Sequence, residues 1–150
     1  MREILFKAKR LDNGEWVEGN YVNGYTFRYI LPIPMAMAQS GCAIVVNKAT
    51  ICQYTGLTDK NGNKIWENDI IKPYDTVTNE GYIIGWDNEM GAFVFCDINT
   101  NDSLYVLVGH YIESIQPVEV IGNIFDNSEL LNADNEASQQ AHQEVLKPAT

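Results

Sequence analysis

Asn-Gly pairs recur along this chain and restrict the folds that are open to it. They occur at Asn13-Gly14, Asn23-Gly24 and Asn61-Gly62, close to short runs of β-branched and aromatic residues. Asn and Gly tolerate the positive φ angles of tight hairpin turns, so each pair predicts a reversal between antiparallel strands. Apolar and polar residues alternate over residues 4–9, and residues 16–22 can return as the partner strand. The chain therefore favours a β fold assembled from hairpins.

Short β-prone segments separated by turns continue as far as residue 125, which predicts a mainly β protein. We expect an N-terminal β hairpin subdomain over residues 1–49. A small SH3-like or partly open barrel should follow over residues 50–131 and end in a short helix that Asn127 or Ser128 caps. Residues 132–150 contain few apolar anchors, so we expect a flexible tail. Residues 25–48 carry two prolines and give no clear pattern.

The charge of the chain is divided unevenly along its length. Residues 1–72 carry nine Lys and Arg against seven Asp and Glu, a net charge of +2. Residues 73–150 carry one Lys against thirteen Asp and Glu, a net charge of −12. Nucleic-acid binding depends on Lys and Arg residues that neutralise phosphates, and the acidic second half has almost none. We therefore expect no direct binding of nucleic acid. Two interpretations remain: an acidic surface that keeps the protein in solution, or an acidic face that docks on a basic partner or on the basic half of another copy.

Signals for membranes, metals and cofactors are weak. No uncharged apolar run approaches the ~18 residues of a membrane span, and the N-terminus lacks the pattern of a signal peptide. The cysteines Cys42, Cys52 and Cys96 are odd in number, lie far apart and form no CxxC pair. We therefore expect a cytoplasmic protein that binds no membrane, no structural metal and no cofactor.

The sequence contains few motifs that are typical of catalysis, so we expect that the protein is not an enzyme. The chain lacks the GxSxG, GxGxxG and GxxxxGK[ST] patterns. Glu67 and Asp69 lie two apart on one predicted strand, hence on one face, and paired carboxylates can divide acid and base roles. His110 is a further candidate, and nothing selects a Cys96–His110 pair. An enzyme acting on a small polar substrate through Glu67, Asp69 or His110 remains the alternative.

Two further features of the sequence can each be interpreted either as structural or as ligand-binding. The segment 59–67 resembles a calcium loop, but Lys64 stands where such a loop requires glycine, so we expect a hairpin turn. Tyr54 and Trp86 join Glu67 and Asp69 as candidates for a binding face. Strands are enriched in aromatic residues, and core packing explains most of them.

Three segments stand in an order and spacing typical of one family. They are MREI with NGEWV near the N-terminus, QYTGLTDKNGNKIWENDII at residues 53–71 and EVIGNIFDNSELL at residues 119–131. With these segments the chain resembles the YopX family of phage and prophage proteins over residues 1–131. It departs from the family pattern at Asn68, where members have Gly, and at Ser128, where members have Pro.

The resemblance implies a mainly β fold, a phage or prophage origin and self-assembly; it implies no catalytic residues. We therefore expect a non-catalytic, self-associating interaction module that also meets a host or phage protein. Besides the enzyme, the acidic half leaves open a decoy that occupies a nucleic-acid-binding protein. That decoy would need its carboxylates to line one continuous face.

Overall fold

The computed structural model describes residues 1–32, 43–73, 81–100, 103–105 and 117–131, which contain eleven strands. The chain divides into two compact units. The first comprises Met1–Thr58 and Lys64–Glu67, and the second comprises Asp59–Asn63 and Asn68–Thr150. The charge follows this division: the first unit carries seven Lys and Arg against five Asp and Glu, or +2, and the second carries three against fifteen, or −12.

Six strands form the antiparallel sheet of the first unit, in the order β4-β3-β2-β1-β5-β6. They are β1 (Phe6–Lys9), β2 (Trp16–Asn23), β3 (Arg28–Pro32), β4 (Ile44–Val46), β5 (Cys52–Thr58) and β6 (Lys64–Trp66). The predicted reversal at Asn13-Gly14 is confirmed, because Gly14 has a φ of 75° and the strands on either side pair Ala8 with Val17. A single 3₁₀ turn, Lys48–Thr50, connects β4 to β5.

One face of this sheet supplies the core of the first unit. Ala8, Ile30 and Val46 are buried at its centre. Five partly buried apolar side chains pack around them: Phe6, Val17, Tyr21, Ile44 and Ile51. Fully burying an aliphatic side chain such as Ile30 contributes about 1.5–3 kcal/mol, so this face stabilises the sheet through packing. The opposite face carries Lys7 and Lys9, as strand alternation requires.

Five strands form the antiparallel sheet of the second unit, in the order β10-β9-β8-β7-β11. They are β7 (Asp69–Pro73), β8 (Tyr82–Asp87), β9 (Ala92–Asp97), β10 (Ser103–Tyr105) and β11 (Val118–Asn123). In β9, Val94, Phe95 and Cys96 are consecutive and all buried, which fits its position inside the sheet. A short helix spans residues 128–131, and its Leu130 and Leu131 pack with Ile70, Val94 and their neighbours.

The prediction that one strand holds both Glu67 and Asp69 is wrong, because the chain bends between them. Glu67 and Asn68 form a turn between β6 and β7, and Asn68 has a φ of 65°. The free-energy cost of this left-handed conformation is smallest for Gly and next smallest for Asn and Asp. Asn can therefore occupy a position where family members have Gly. The bend places Glu67 in the first unit and Asp69 in the second.

The mainly β class and the short C-terminal helix are confirmed, and the two sheets are antiparallel. The grouping of strands differs from the predicted boundary between residues 49 and 50. β5 lies in the first sheet because its residues pair with β1, Phe6 with Gln53 and Lys7 with Cys52, a long-range pairing that local patterns do not encode. The segment predicted as a barrel includes residues 74–80 and 106–116, which lie outside the described residues, as does the predicted tail at 132–150.

Candidate functional site

A cleft of about 410 Å³ opens in the first unit where three segments of the chain converge. Leu11 lies just after β1, residues 25–28 run from the β2–β3 connection into the start of β3, and residues 46–48 run from the end of β4 into the turn that follows it. Backbone pairing brings these segments together: the Leu11 N–H donates to the Val45 carbonyl over 3.1 Å, and Arg28 pairs with Val46. The volume falls within the roughly 300–1,000 Å³ of small ligand pockets.

Apolar side chains on the rim of this cleft are exposed to solvent. Tyr25, Phe27 and Leu11 have relative exposures of 106%, 49% and 57%. Phe27 packs edge-on against Tyr29, with the ring centroids 6.5 Å apart. Isolated exposed apolar residues are ordinary, but a group of them around one concave surface is typical of a binding site.

The loop that carries Tyr25 and Phe27 is held in shape by its two ends. Nη1 of Arg28 donates a hydrogen bond to the Gly24 carbonyl over 2.8 Å. Any side chain at residue 24 would collide with the loop, because a Cβ there would lie 2.6 Å from the Phe27 carbonyl oxygen. Glycine at this position therefore permits the tight return that places both aromatic rings beside the cleft.

The cleft is electropositive. Arg28 and Lys48 line it, and within the described part of the chain none of its lining residues is acidic. The nearby Asp12 is neutralised by Arg10, whose Nε and Nη2 atoms reach the two carboxylate oxygens over 2.9 and 2.6 Å. The hydrogen bond from Arg10 lowers the pKa of Asp12. The surface thus offers apolar contact beside uncompensated positive charge, which suits a partner with an acidic and an apolar group.

Tyr54 lies outside this cleft, in an aromatic row that lysine side chains cover. Its ring is 5.5 Å from that of Trp66, and Nζ of Lys64 lies 6.0 Å from its centroid. Nζ of Lys7 lies 4.8 Å from the Trp16 centroid and 5.2 Å from that of Trp66. These are the distances of cation–π contacts. Tyr54 is 8% exposed and offers little surface to a ligand.

Glu67 and Asp69, expected on one face, do not share one. The Glu67 carboxylate accepts a hydrogen bond from the Gln53 N–H over 2.9 Å, and the Glu67 N–H donates to the Gln53 carbonyl over 3.0 Å. Burial raises the pKa of Glu67, and the hydrogen bond from Gln53 offsets part of the rise. Asp69 begins β7 in the second unit and is 2% exposed. The bend at residues 67–68 thus removes the geometric basis for a carboxylate pair on one strand.

Trp86 lies at the end of β8, beside an exposed hairpin tip. It is 46% exposed, and its ring packs edge-on against Phe93 with centroids 5.0 Å apart. The tip itself, residues 87–91, carries the exposed side chains of Glu89 and Met90. Trp86 is therefore the sequence-predicted candidate whose surface is open to a partner.

The segment 59–67 contains a tight turn between β5 and β6, as predicted, and Gly62 has a φ of 83°. The Asp59 carboxylate, only 6% exposed, accepts hydrogen bonds within this turn from the N–H groups of Asn61 and Asn63, both over 2.9 Å. It also accepts one from the Val120 N–H over 3.1 Å. The oxygens that a calcium ion would need are thus engaged in holding the backbone.

Two positions named in the sequence analysis, His110 and Cys42, lie outside the described residues. Across the ranges that the structure describes, no three His, Cys, Asp or Glu side chains gather where they could hold a metal ion. None of the helical segments in those ranges has the length and apolar character needed to cross a membrane.

The cleft residues escaped the sequence analysis because their segment lacks a periodic pattern. Tyr25, Phe27 and Arg28 lie between the Asn23-Gly24 turn and the two prolines. One signal could have found them: Tyr25-Thr26-Phe27 follows a tight turn directly, where apolar residues at a hairpin tip have no sheet face to cover.

The two antiparallel sheets and the short terminal helix define a small mainly β protein. The family model described as YopX protein matches residues 5–132, and the chain therefore belongs to the YopX family. Its structure is similar to the crystal structure of protein EF1440 from Enterococcus faecalis, with a TM-score of 0.51 and 24% sequence identity. That likeness covers 87% of this chain and 99% of the other, and it concerns the fold. The comparison with curated proteins found no match.

Proposed function

We propose that this protein is a non-catalytic, self-associating interaction module of phage or prophage origin that acts in the cytoplasm of a bacterial host. The cleft of the first unit carries this proposal. Exposed Tyr25 and Phe27 meet the positive charges of Arg28 and Lys48 there, in a unit with a net charge of +2. The same chain carries a second unit with a net charge of −12.

The chemistry of the cleft supports binding in preference to catalysis. Its lining consists of Leu11, Tyr25, Thr26, Phe27, Arg28, Val46, Asn47 and Lys48. General acid–base or nucleophilic catalysis needs a side chain that is held in position and tuned by its neighbours; the described residues of this lining include no carboxylate, imidazole or thiol, and its Lys48 and Tyr25 are exposed to solvent. The side chains of this lining instead provide apolar area, hydrogen-bonding groups and two cations, the elements of a protein-binding surface.

The partner that best complements this surface is acidic and partly apolar. Positive charge at the cleft speeds the encounter with such a partner and selects against basic ones. Apolar burial at Tyr25 and Phe27 supplies most of the affinity, because exposed ion pairs contribute only about 0–1 kcal/mol each. Another copy of the chain meets this description through its acidic second unit, and an acidic host or phage protein can occupy the same surface.

Light scattering tests the proposal with the intact protein over a range of concentrations. We expect a mass above that of a monomer, with an affinity that falls as salt rises, since screening shortens from about 10 Å at 0.1 M to about 3 Å at 1 M ionic strength. Phe27→Ala should weaken the association roughly tenfold, as loss of an aromatic contact at an interface commonly does. Val22→Ala, which truncates an exposed apolar residue on β2 outside the cleft, is the matched control. A monomer mass at every concentration in low salt would contradict the proposal.

A further inference from the structure

The hairpin tip between β8 and β9 is a hydrogen-bonded turn with exposed side chains. The Gly91 N–H donates to the Asp87 carbonyl over 2.8 Å, and Gly91 has a φ of 61°. The Asp87 carboxylate accepts hydrogen bonds from the N–H groups of Glu89 and Met90, over 2.9 and 3.0 Å. The backbone of the tip is therefore fixed before any partner arrives, which reduces the entropy lost on binding.

The same turn directs its other side chains outward. Met90 is 50% exposed and Trp86 at its base is 46% exposed. Glu89 is exposed as well, and its carboxylate lies next to Met90 in sequence. The tip thus presents an acidic group, a flexible thioether and an indole within a few residues of one another. No basic residue occurs between Lys72 and Lys147 to offset this charge.

The side chains at the hairpin tip are chemically complementary to those that line the cleft. Methionine adapts its shape to irregular apolar surfaces, and its sulfur makes favourable contacts with aromatic rings such as those of Tyr25 and Phe27. The carboxylate of Glu89 is complementary to Lys48, whose side chain is exposed at the cleft. Apolar and charged complementarity therefore coincide on the same two small surfaces.

We propose that the cleft of one copy receives the β8–β9 hairpin tip, residues 86–91, of a second copy. This inference rests on the proposed function and identifies the surface with which the cleft associates. Because two different surfaces of the chain meet, the contact is heterologous: copies join head to tail and form a ring where the rotation closes. Each copy then uses both its cleft and its tip.

A charge-swap cycle in the full chain tests this pairing by sedimentation velocity. Lys48→Glu and Glu89→Lys should each weaken self-association roughly tenfold, because each places like charges opposite one another. The double variant with both changes restores the opposite pair and should return to within about threefold of the wild type. Met90→Ala should weaken association without altering charge. Two controls make the same charge changes elsewhere: Arg2→Glu, beside Gly56 of β5, and Glu129→Lys in the terminal helix.

The outcomes separate this inference from the proposed function. Recovery in the double variant, with both controls unchanged, supports the pairing. Weakened association in Lys48→Glu together with wild-type behaviour in Glu89→Lys and Met90→Ala overturns the pairing and leaves the cleft as an interaction surface for another acidic segment. Wild-type association in every variant, including Phe27→Ala, overturns both the pairing and the role of the cleft in self-association. Circular dichroism of each variant, compared with the wild type, establishes that the change lies in association rather than in folding.

Discussion

Replacement of Asp59 should destabilise the second unit far more than its place in a surface turn indicates. Its carboxylate accepts hydrogen bonds from the N–H groups of Asn61, Asn63 and Val120, and from the Asn63 side chain over 3.2 Å. The side chain therefore fixes the turn at residues 59–63 to the neighbouring strand β11. We expect Asp59→Ala to release both elements.

The expected loss in the free energy of unfolding depends on the N–H groups that truncation of Asp59 to Ala leaves without their hydrogen-bond acceptor. A hydrogen bond to an ionised group contributes about 1.5–3 kcal/mol, but N–H groups in an exposed turn recover most of this from water. Asn61 and Asn63 are exposed residues, and their bonds to the carboxylate, like that of the Val120 N–H of β11, are partly buried. We therefore expect a loss of about 2–4 kcal/mol in the free energy of unfolding, near the upper range for a single polar substitution.

The loss of stability in Asp59→Ala should depend on pH and should shrink in acid, because it arises from an ionised carboxylate. Burial of Asp59 acts to raise its pKa, but the hydrogen bonds led by that of the Val120 N–H outweigh burial and bring the pKa below 3.8. A carboxyl with a lowered folded-state pKa stabilises above its unfolded pKa, and the stabilisation disappears as the pH falls through the folded value. The difference between wild type and Asp59→Ala should thus be full at neutral pH and shrink below about 3.8.

Urea denaturation followed by far-ultraviolet circular dichroism measures both effects. Lys60→Ala is the neighbouring control: it removes the ion pair with Glu119, 3.0 Å long and partly exposed, which contributes about 0–1 kcal/mol. A loss below about 1 kcal/mol in Asp59→Ala, or a difference from wild type that persists unchanged into acid, would refute the reasoning.

Substitutions at three further positions test the fold by urea denaturation. Gly19→Ala should destabilise by about 1–3 kcal/mol or more, because its Cβ would lie 1.9 Å from the Leu31 carbonyl oxygen; stability equal to the wild type would show that β2 and β3 separate easily. Asn68→Ala should cost about 1–2 kcal/mol at its φ of 65°, and Asn68→Gly should cost less; the reverse order would contradict a backbone origin. Glu67→Gln should stabilise at neutral pH, since burial raises the pKa of Glu67 and favours its neutral form, and the gain should vanish below the unfolded pKa of about 4.5. A constant gain at all pH values would exclude charge as its cause.

Local turn chemistry explains why much of the fold could be predicted from the sequence. The reversals at Asn13-Gly14 and Asn61-Gly62 depend on residues that tolerate positive φ, a preference that acts within a few residues and needs no tertiary contact. The apolar run of β9 likewise predicts a strand buried on both faces, as Val94 and Phe95 are. These features are encoded where they occur.

The bend at Asn68 and the grouping of β5 could not be predicted in the same way. Apolar, β-prone residues stand on both sides of the bend, Ile65-Trp66 before it and Ile70-Ile71 after it, so the local pattern does not reveal where the backbone turns. Residues distant in the sequence form hydrogen bonds with the backbone at the bend: the Asn68 N–H donates to the Ile84 carbonyl over 2.8 Å, and the Ile124 N–H donates to the Asn68 carbonyl over 3.0 Å. The pairing of β5 with β1 also depends on residues more than forty positions apart in the chain.

The candidate site was the least predictable part for a related reason. Tyr54, Glu67, Asp69 and Trp86 were chosen by residue type and local alternation, and of these Trp86 has an open surface. The cleft instead depends on backbone pairing among three separate segments, so Tyr25 and Lys48 approach one another only after the sheet has formed. A site assembled by long-range strand pairing leaves little trace in local periodicity.

Hydrogen–deuterium exchange of the wild-type protein tests the central claim, that the cleft is the surface of self-association, most directly. Exchange is compared at a dilution where the protein is dissociated and at a concentration where it is associated. The account predicts that association slows exchange of the loop amides at residues 25–27 and of the exposed turn at residues 47–49, while the exposed turn at residues 61–63 stays unchanged. Association without added protection at residues 25–27 and 47–49 would contradict the claim.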